Sequence, residues 1–177
     1  MLSRLRVPAG YVLGGCALAL AHPTAASLAS AAPIALVGEA LRVWASGHLE
    51  KTRALATGGP YAHTRNPLYL GSLLLALAVA LASASVWVAL AAGAYFAVFY
   101  PAVVREEARF LRAKFGGEYE HWARAVPLFW PRARPAGPRT SRFEWRRVRV
   151  NREWWTVAAL PLMTVLLLAR ARWPWPA

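Results

Sequence analysis

The chain is predicted to be an all-α integral membrane protein with about five transmembrane helices and a cytoplasmic amphipathic helical segment. Three observations point there. Of its 177 residues 58% are hydrophobic and only 16% charged, and the mean hydropathy is +0.33, too apolar for a soluble domain of this size. Uncharged runs of near-span length recur between polar loops. The formal charge of +13 is concentrated between Arg105 and Arg152, as on the cytoplasmic face of a bilayer.

The elements follow in order. Helix one is expected over Val7–Ala21, and His22-Pro23 breaks it before a second helix over Thr24–Ser46. The opening MLSRLRVPAGYVLGGCALALA imitates a secretory signal, but the uncharged stretch up to Glu39 fits a helical hairpin better than one cleaved signal core. Glu39 and Arg42 lie three residues apart and therefore on one helix face, where an interfacial ion pair is the plain expectation. After a polar loop, helix three covers Leu68–Leu81, Ser83-Ala84-Ser85 forms a tight turn, and helix four covers Val86 to about Val104 with a kink at Pro101.

Val104, Ala108, Leu111, Phe115, Tyr119, Trp122 and Val126 then recur at spacings of three and four, an amphipathic helical stripe interrupted at Gly116-Gly117. Residues 132–152, rich in arginine and proline, are expected to be irregular and held near anionic headgroups. Trp154-Trp155 opens a last span ending near Ala169. The chain thus reads as one domain, 1–177: a hairpin (1–46), a central core (47–131), a basic loop (132–152) and a final helix (153–170).

Composition also excludes functions. One cysteine, Cys16, rules out an internal disulfide or multi-cysteine metal site and reads as a small buried hydrophobe. The four histidines show no metal-ligand spacing, so no metal is expected. The basic charge comes without zinc-ligand spacing or an aromatic RNA-binding motif, so no nucleic-acid partner is expected.

The candidates for chemistry lie in two loops, GPYAHTRNPLYLG before helix three and VVREEARFLRAKFGGEYEHW after helix four. The tight turn between those helices makes them antiparallel neighbours, which brings the two motifs together. With LRVWASGHLEK, these stretches resemble the membrane methyltransferases related to isoprenylcysteine carboxyl methyltransferase and phosphatidylethanolamine N-methyltransferase. The resemblance runs from Leu41 to Pro131. It implies that residues 47–131 are a catalytic core using S-adenosyl-L-methionine to methylate a hydrophobic or lipid-like acceptor. The two long basic loops put that core on the cytoplasmic side of the bilayer, and the high alanine and arginine use points to a bacterial source and so to an inner membrane.

Carried over by motif, the cofactor set is His48, Arg53, Ala54, Leu55, Ala56, Tyr61, Asn66, Pro67, Leu68, Tyr69 and Glu107, with Arg65 and Arg105 facing the acceptor and Glu107 also placed among the catalytic groups. Asn66 stands where carboxyl methyltransferases usually have histidine, so carboxylate and amine acceptors both stay open. An already nucleophilic carboxylate needs only to be oriented by Arg65, whereas an amine needs a base such as Glu106 or His63. Two other classes compete. A steroid or sterol reductase shares a similar turn, but Ser72 replaces its glutamate; a non-enzymatic scaffold needs only the amphipathic stripe and aromatic belts.

Overall fold

In a computed structural model, which describes residues 2–50, 54–136 and 141–173, every regular element is helical. The helices are α1 (Leu2–Ala19), α2 (Ala25–His48), α3 (Pro67–Ser83), α4 (Val86–Phe115), α5 (Gly117–Ala125), α6 (Trp145–Val150) and α7 (Trp154–Arg172), with a 3₁₀ turn at Gly59–Ala62. Among the described residues, α2, α4 and α7 are long and apolar enough to cross a membrane, while α3 and the apolar part of α1 are shorter. Five spans therefore need local thinning of the bilayer around α1 and α3. Leu36 and Val37 on α2, Trp87 and Leu90 on α4, and Leu162 and Val165 on α7 are exposed, as lipid-facing side chains are. Cys16 is exposed as well, on α1, rather than buried.

The α1–α2 break falls at His22-Pro23 because α2 begins with a capping box. The Thr24 hydroxyl accepts from Ser27 N at 3.0 Å and the Ser27 hydroxyl accepts from Thr24 N at 2.9 Å, which satisfies orphan amides at the helix start. The same turn is pinned to the end of α3, with His22 N donating to Ser83 O at 2.7 Å and Ser27 Oγ to Ala82 O at 3.0 Å. Ala84 makes the α3–α4 turn in the left-handed conformation, φ 49°.

Helices α2 and α3 approach closely through two glycines. A Cβ on Gly71 would lie 2.8 Å from Gly38 O and 2.5 Å from Arg42 Cγ, and one on Gly38 would lie 3.0 Å from Gly71 O. Small residues facing each other are how helices in a membrane bring their backbones together.

Two further expectations are corrected. Helix four does not stop near Val104 but runs unbroken to Phe115, through Pro101. Its apolar stretch ends where Arg105 begins the charges, yet nothing there breaks the helix; the stop comes at Gly116, whose φ of 50° suits glycine. The amphipathic stripe is partly buried against the polar loop. Tyr119, Trp122 and Val126 join Ala45, Leu55, Ala56 and Tyr61 in one buried cluster, with Ala108, Leu111 and Phe115 packed on its rim.

The second concerns residues 132–152, of which 132–136 and 141–152 are described: these contain α6 and pack back onto the polar loop. Ala136 N donates to Ala62 O at 2.9 Å, Arg132 N to His63 O at 3.0 Å and Glu144 N to Gly47 O at 3.0 Å. Asn151 Nδ2 donates to Ser46 O and Leu49 O at 3.0 and 2.9 Å, capping the end of α2.

Candidate active site

Up-and-down packing sets the location. The start of α1, the end of α2, the start of α3, the second half of α4 and the start of α7 all meet around one cavity of about 710 Å³. Its polar lining is drawn from α1 to α4 and from the residue that precedes α7: Arg6, Arg42, Tyr69 and Ser72, Glu106 and Glu107, and Glu153.

One wall is the pair joining α3 to α4. The Tyr69 hydroxyl donates to Glu107 Oε2 at 2.8 Å, within the range of a charge-assisted bond. Tyr69 sits edge-on to Tyr100 at 5.3 Å between ring centroids, and the Arg6 guanidinium lies 5.8 Å from the Tyr69 ring centre. Pro67 occupies the first turn of α3, where its missing N–H costs nothing, and so fixes the turn that presents Leu68 and Tyr69.

The lining also holds an ion pair that sequence reading did not find. Arg42 Nε donates to Glu153 Oε1 at 2.7 Å, Nη1 to the Ser72 hydroxyl and, at 3.4 Å, to Leu68 O, and Nη2 to Thr156 Oγ1 at 3.3 Å. Arg42 thus ties α2 to α3 and α7. Its expected partner Glu39 is buried, and neither of its carboxylate oxygens has a hydrogen-bond partner.

The predicted site residues divide into groups. Leu68, Tyr69 and Glu107 line the large cavity. Arg65, Asn66 and again Glu107 line a void of about 20 Å³ on the other side, bounded by Tyr119 and Trp122. Asn66 Nδ2 donates to Leu128 O at 2.8 Å, and Arg65 Nη1 lies 3.5 Å from the Tyr119 hydroxyl while its buried Nε has no partner.

Leu55, Ala56 and Tyr61 belong to the packed cluster behind this void, and Trp122 Nε1 donates to Tyr61 O at 3.1 Å. Burial first, and then the Glu107 carboxylate, push the Tyr61 phenol well above its ordinary range. His48 is buried behind Gly59, with Nδ1 2.9 Å from Trp44 O and its ring beside Phe143.

Two predicted residues stand apart. Ala54 is exposed, and Arg105, also exposed, bonds to Pro101 O of its own helix at 3.0 Å and lines neither space. Arg53 lies outside the described residues. Sequence reading missed Arg6, Tyr95, Tyr100, Asn151 and Glu153. A signal for Arg6 existed: alternating helix direction puts the start of α1 on the same side as the two polar loops. Among the described residues no group of three or more His, Cys, Asp or Glu could hold a metal ion.

The chain is 39% identical over 93 residues to the cobalt-zinc-cadmium resistance protein CzcN of Cupriavidus metallidurans, covering 51% of this chain and 43% of that one. It is 33% identical over 93 residues to the nickel-cobalt-cadmium resistance protein NccN of Alcaligenes xylosoxydans xylosoxydans, with the same coverage of 51% and 43%. The match therefore spans less than half the length of these curated relatives. No solved structure matches. Residues 38–118, which supply Arg42, Tyr69, Ser72 and Glu107 to the cavity, match the phospholipid methyltransferase family.

Proposed function

We propose that the chain transfers a methyl group from S-adenosyl-L-methionine to a hydrophobic or lipid-like acceptor, in the manner of the isoprenylcysteine carboxyl methyltransferase group, at the cytoplasmic face of a bacterial inner membrane. The observation that carries this reading is the Tyr69–Glu107 pair, 2.8 Å apart on the cavity wall within the family segment.

The residues present suit the cofactor. A cation is favoured beside the Glu106 and Glu107 carboxylates and against the tyrosine faces of the cavity. The cavity of about 710 Å³ falls in the common range of about 300–1,000 Å³ for small-molecule sites. Bound there, the cofactor supplies an electrophilic methyl group on a sulfonium, which leaves the protein the tasks of placing the partners and keeping water out.

In this reading Glu107 offers charge to the cation and Tyr69 fixes the carboxylate by donating to it. Leu68 and Pro67 hold the turn. Arg65 and Asn66 support Glu107 from the void behind, and the cluster of Leu55, Ala56, Tyr61, Tyr119 and Trp122 keeps that support rigid. Placement at a membrane end lets an acceptor keep its apolar part among the helices while its polar end meets the cavity.

The test is calorimetry of the purified protein with S-adenosylmethionine and with its demethylated product, followed by mass spectrometry of a lipid extract incubated with protein and isotopically labelled methyl donor. Binding and a labelled lipid support the reading. No heat with either compound overturns it.

A further inference from the structure

Neither arginine expected to face an acceptor lies in the large cavity, and two others do. Arg42 is fully engaged, its guanidinium spread over Glu153, Ser72, Leu68 O and Thr156. Arg6 is different. It is half-buried, its backbone carbonyl accepts from the Tyr95 hydroxyl at 3.0 Å, and its guanidinium lies 5.8 Å from the Tyr69 ring centre. Among the described residues it forms no ion pair with a carboxylate. An arginine partly withdrawn from water beside an aromatic face, without a counter-ion, favours an oxyanion in a bidentate bond.

We propose that Arg6 is the specificity residue that binds the anionic oxygen of the acceptor's polar end. The proposal rests on the reading that an amphiphile enters this cavity, and it assigns the choice among amphiphiles to α1, which lies outside the family-matched residues 38–118. Tyr69 links the two functions, because its ring faces Arg6 while its hydroxyl holds Glu107. The shared chemistry is a carboxylate or phosphate oxyanion on an apolar chain.

The test uses the full chain in nanodiscs of neutral lipid and follows melting by tryptophan fluorescence. The probes are hexadecanoate, hexadecyl phosphate and uncharged methyl hexadecanoate, with S-adenosylmethionine in a separate arm. The wild-type protein is expected to bind at least one anionic probe about ten-fold or more tightly than the methyl ester, and the stronger of the two names the oxyanion. Arg6→Gln is expected to erase that preference while leaving S-adenosylmethionine affinity and the melting point without probe unchanged. Arg6→Lys is expected to keep part of the preference, and Arg109→Gln, which removes an exposed charge of α4, to keep all of it.

An R6Q protein that still prefers the anionic probes overturns the proposal, as does a wild-type protein without any preference. Loss of S-adenosylmethionine affinity in R6Q also overturns it, since Arg6 then serves the cofactor carboxylate. A wild-type protein that binds anionic amphiphiles through Arg6 but not S-adenosylmethionine overturns the methyltransferase reading alone.

Discussion

The Tyr69 hydroxyl and the Glu107 carboxylate meet at 2.8 Å across 38 residues of sequence, joining the first turn of α3 to the second half of α4. The tight turn at Ala84 folds these helices back on each other, and the length of α4 carries Glu107 as far along as Tyr69 begins. Glu107→Gln keeps an oxygen for the hydroxyl but removes the charge. S-adenosylmethionine affinity is expected to fall about ten-fold or more, a loss near 1.4 kcal/mol, with the melting point almost unchanged because the pair is exposed. Tyr69→Phe is expected to weaken binding less, since the ring stays. Calorimetry on both variants checks this, and equal affinities in all three proteins would remove Glu107 from the site.

The Arg42–Glu153 pair has side-chain exposures of 18% and 6%. At such burial, removing one partner strands the other's charge and typically costs about 3–5 kcal/mol, while replacing both with apolar residues is often close to neutral. Glu153→Leu alone is therefore expected to lower the melting point in detergent sharply. Arg42→Met with Glu153→Leu is expected to recover most of it yet still lose activity, because Arg42 also holds Ser72 and Thr156 at the cavity wall. A double-mutant cycle reads the coupling directly, and a coupling near zero contradicts the hub role.

Gly71 tests the close approach of α2 and α3. A Cβ there meets backbone at 2.8 Å as well as the Arg42 side chain, and a main-chain oxygen cannot swing away. Gly71→Ala is expected to destabilise by about 1–3 kcal/mol, the usual range for overpacking. Gly93→Ala, where nothing lies within 4 Å of the added carbon, is the matched control. Thermal melting of the two side by side checks the difference.

What the sequence made legible was local. The His22-Pro23 break, the Ser83-Ala84-Ser85 turn and the Gly116 stop each depend on residues within a few positions, and all three stand. Antiparallel α3 and α4 followed from the short turn, and with them the meeting of Tyr69 and Glu107. Partners distant along the chain left no pattern to read. Arg42 had an acid three residues away, yet it bonds to Glu153, 111 positions on, because helix rotation decided which acid it faces. Residues 132–152 looked irregular by composition, but α6 is held by tertiary bonds, Arg147 Nη2 to Glu50 at 3.2 Å and Asn151 Nδ2 to Ser46 O and Leu49 O at 3.0 and 2.9 Å. Hydropathy ended helix four early because it measures burial in lipid rather than helix continuity.

The cluster behind the site gives a final prediction, because its polar atoms respond to different perturbations. Trp122 donates to Tyr61 O at 3.1 Å, and both residues are buried. Trp122→Phe removes that donor but most of the ring volume remains, so a loss of about 1–3 kcal/mol is expected from the orphaned carbonyl and small void. The Tyr61 phenol, raised by burial, behaves differently. Its folded value lies above the unfolded one near 10, so its stabilisation is complete below pH 10 and is lost as pH rises from there toward the folded value. Wild-type melting points are thus expected to fall on the alkaline side of pH 10, and Tyr61→Phe to flatten that fall. A Tyr61→Phe curve that drops as steeply as wild type would mean that the phenol is ionised freely in the folded protein, and that the wall behind Arg65 and Glu107 is open to water.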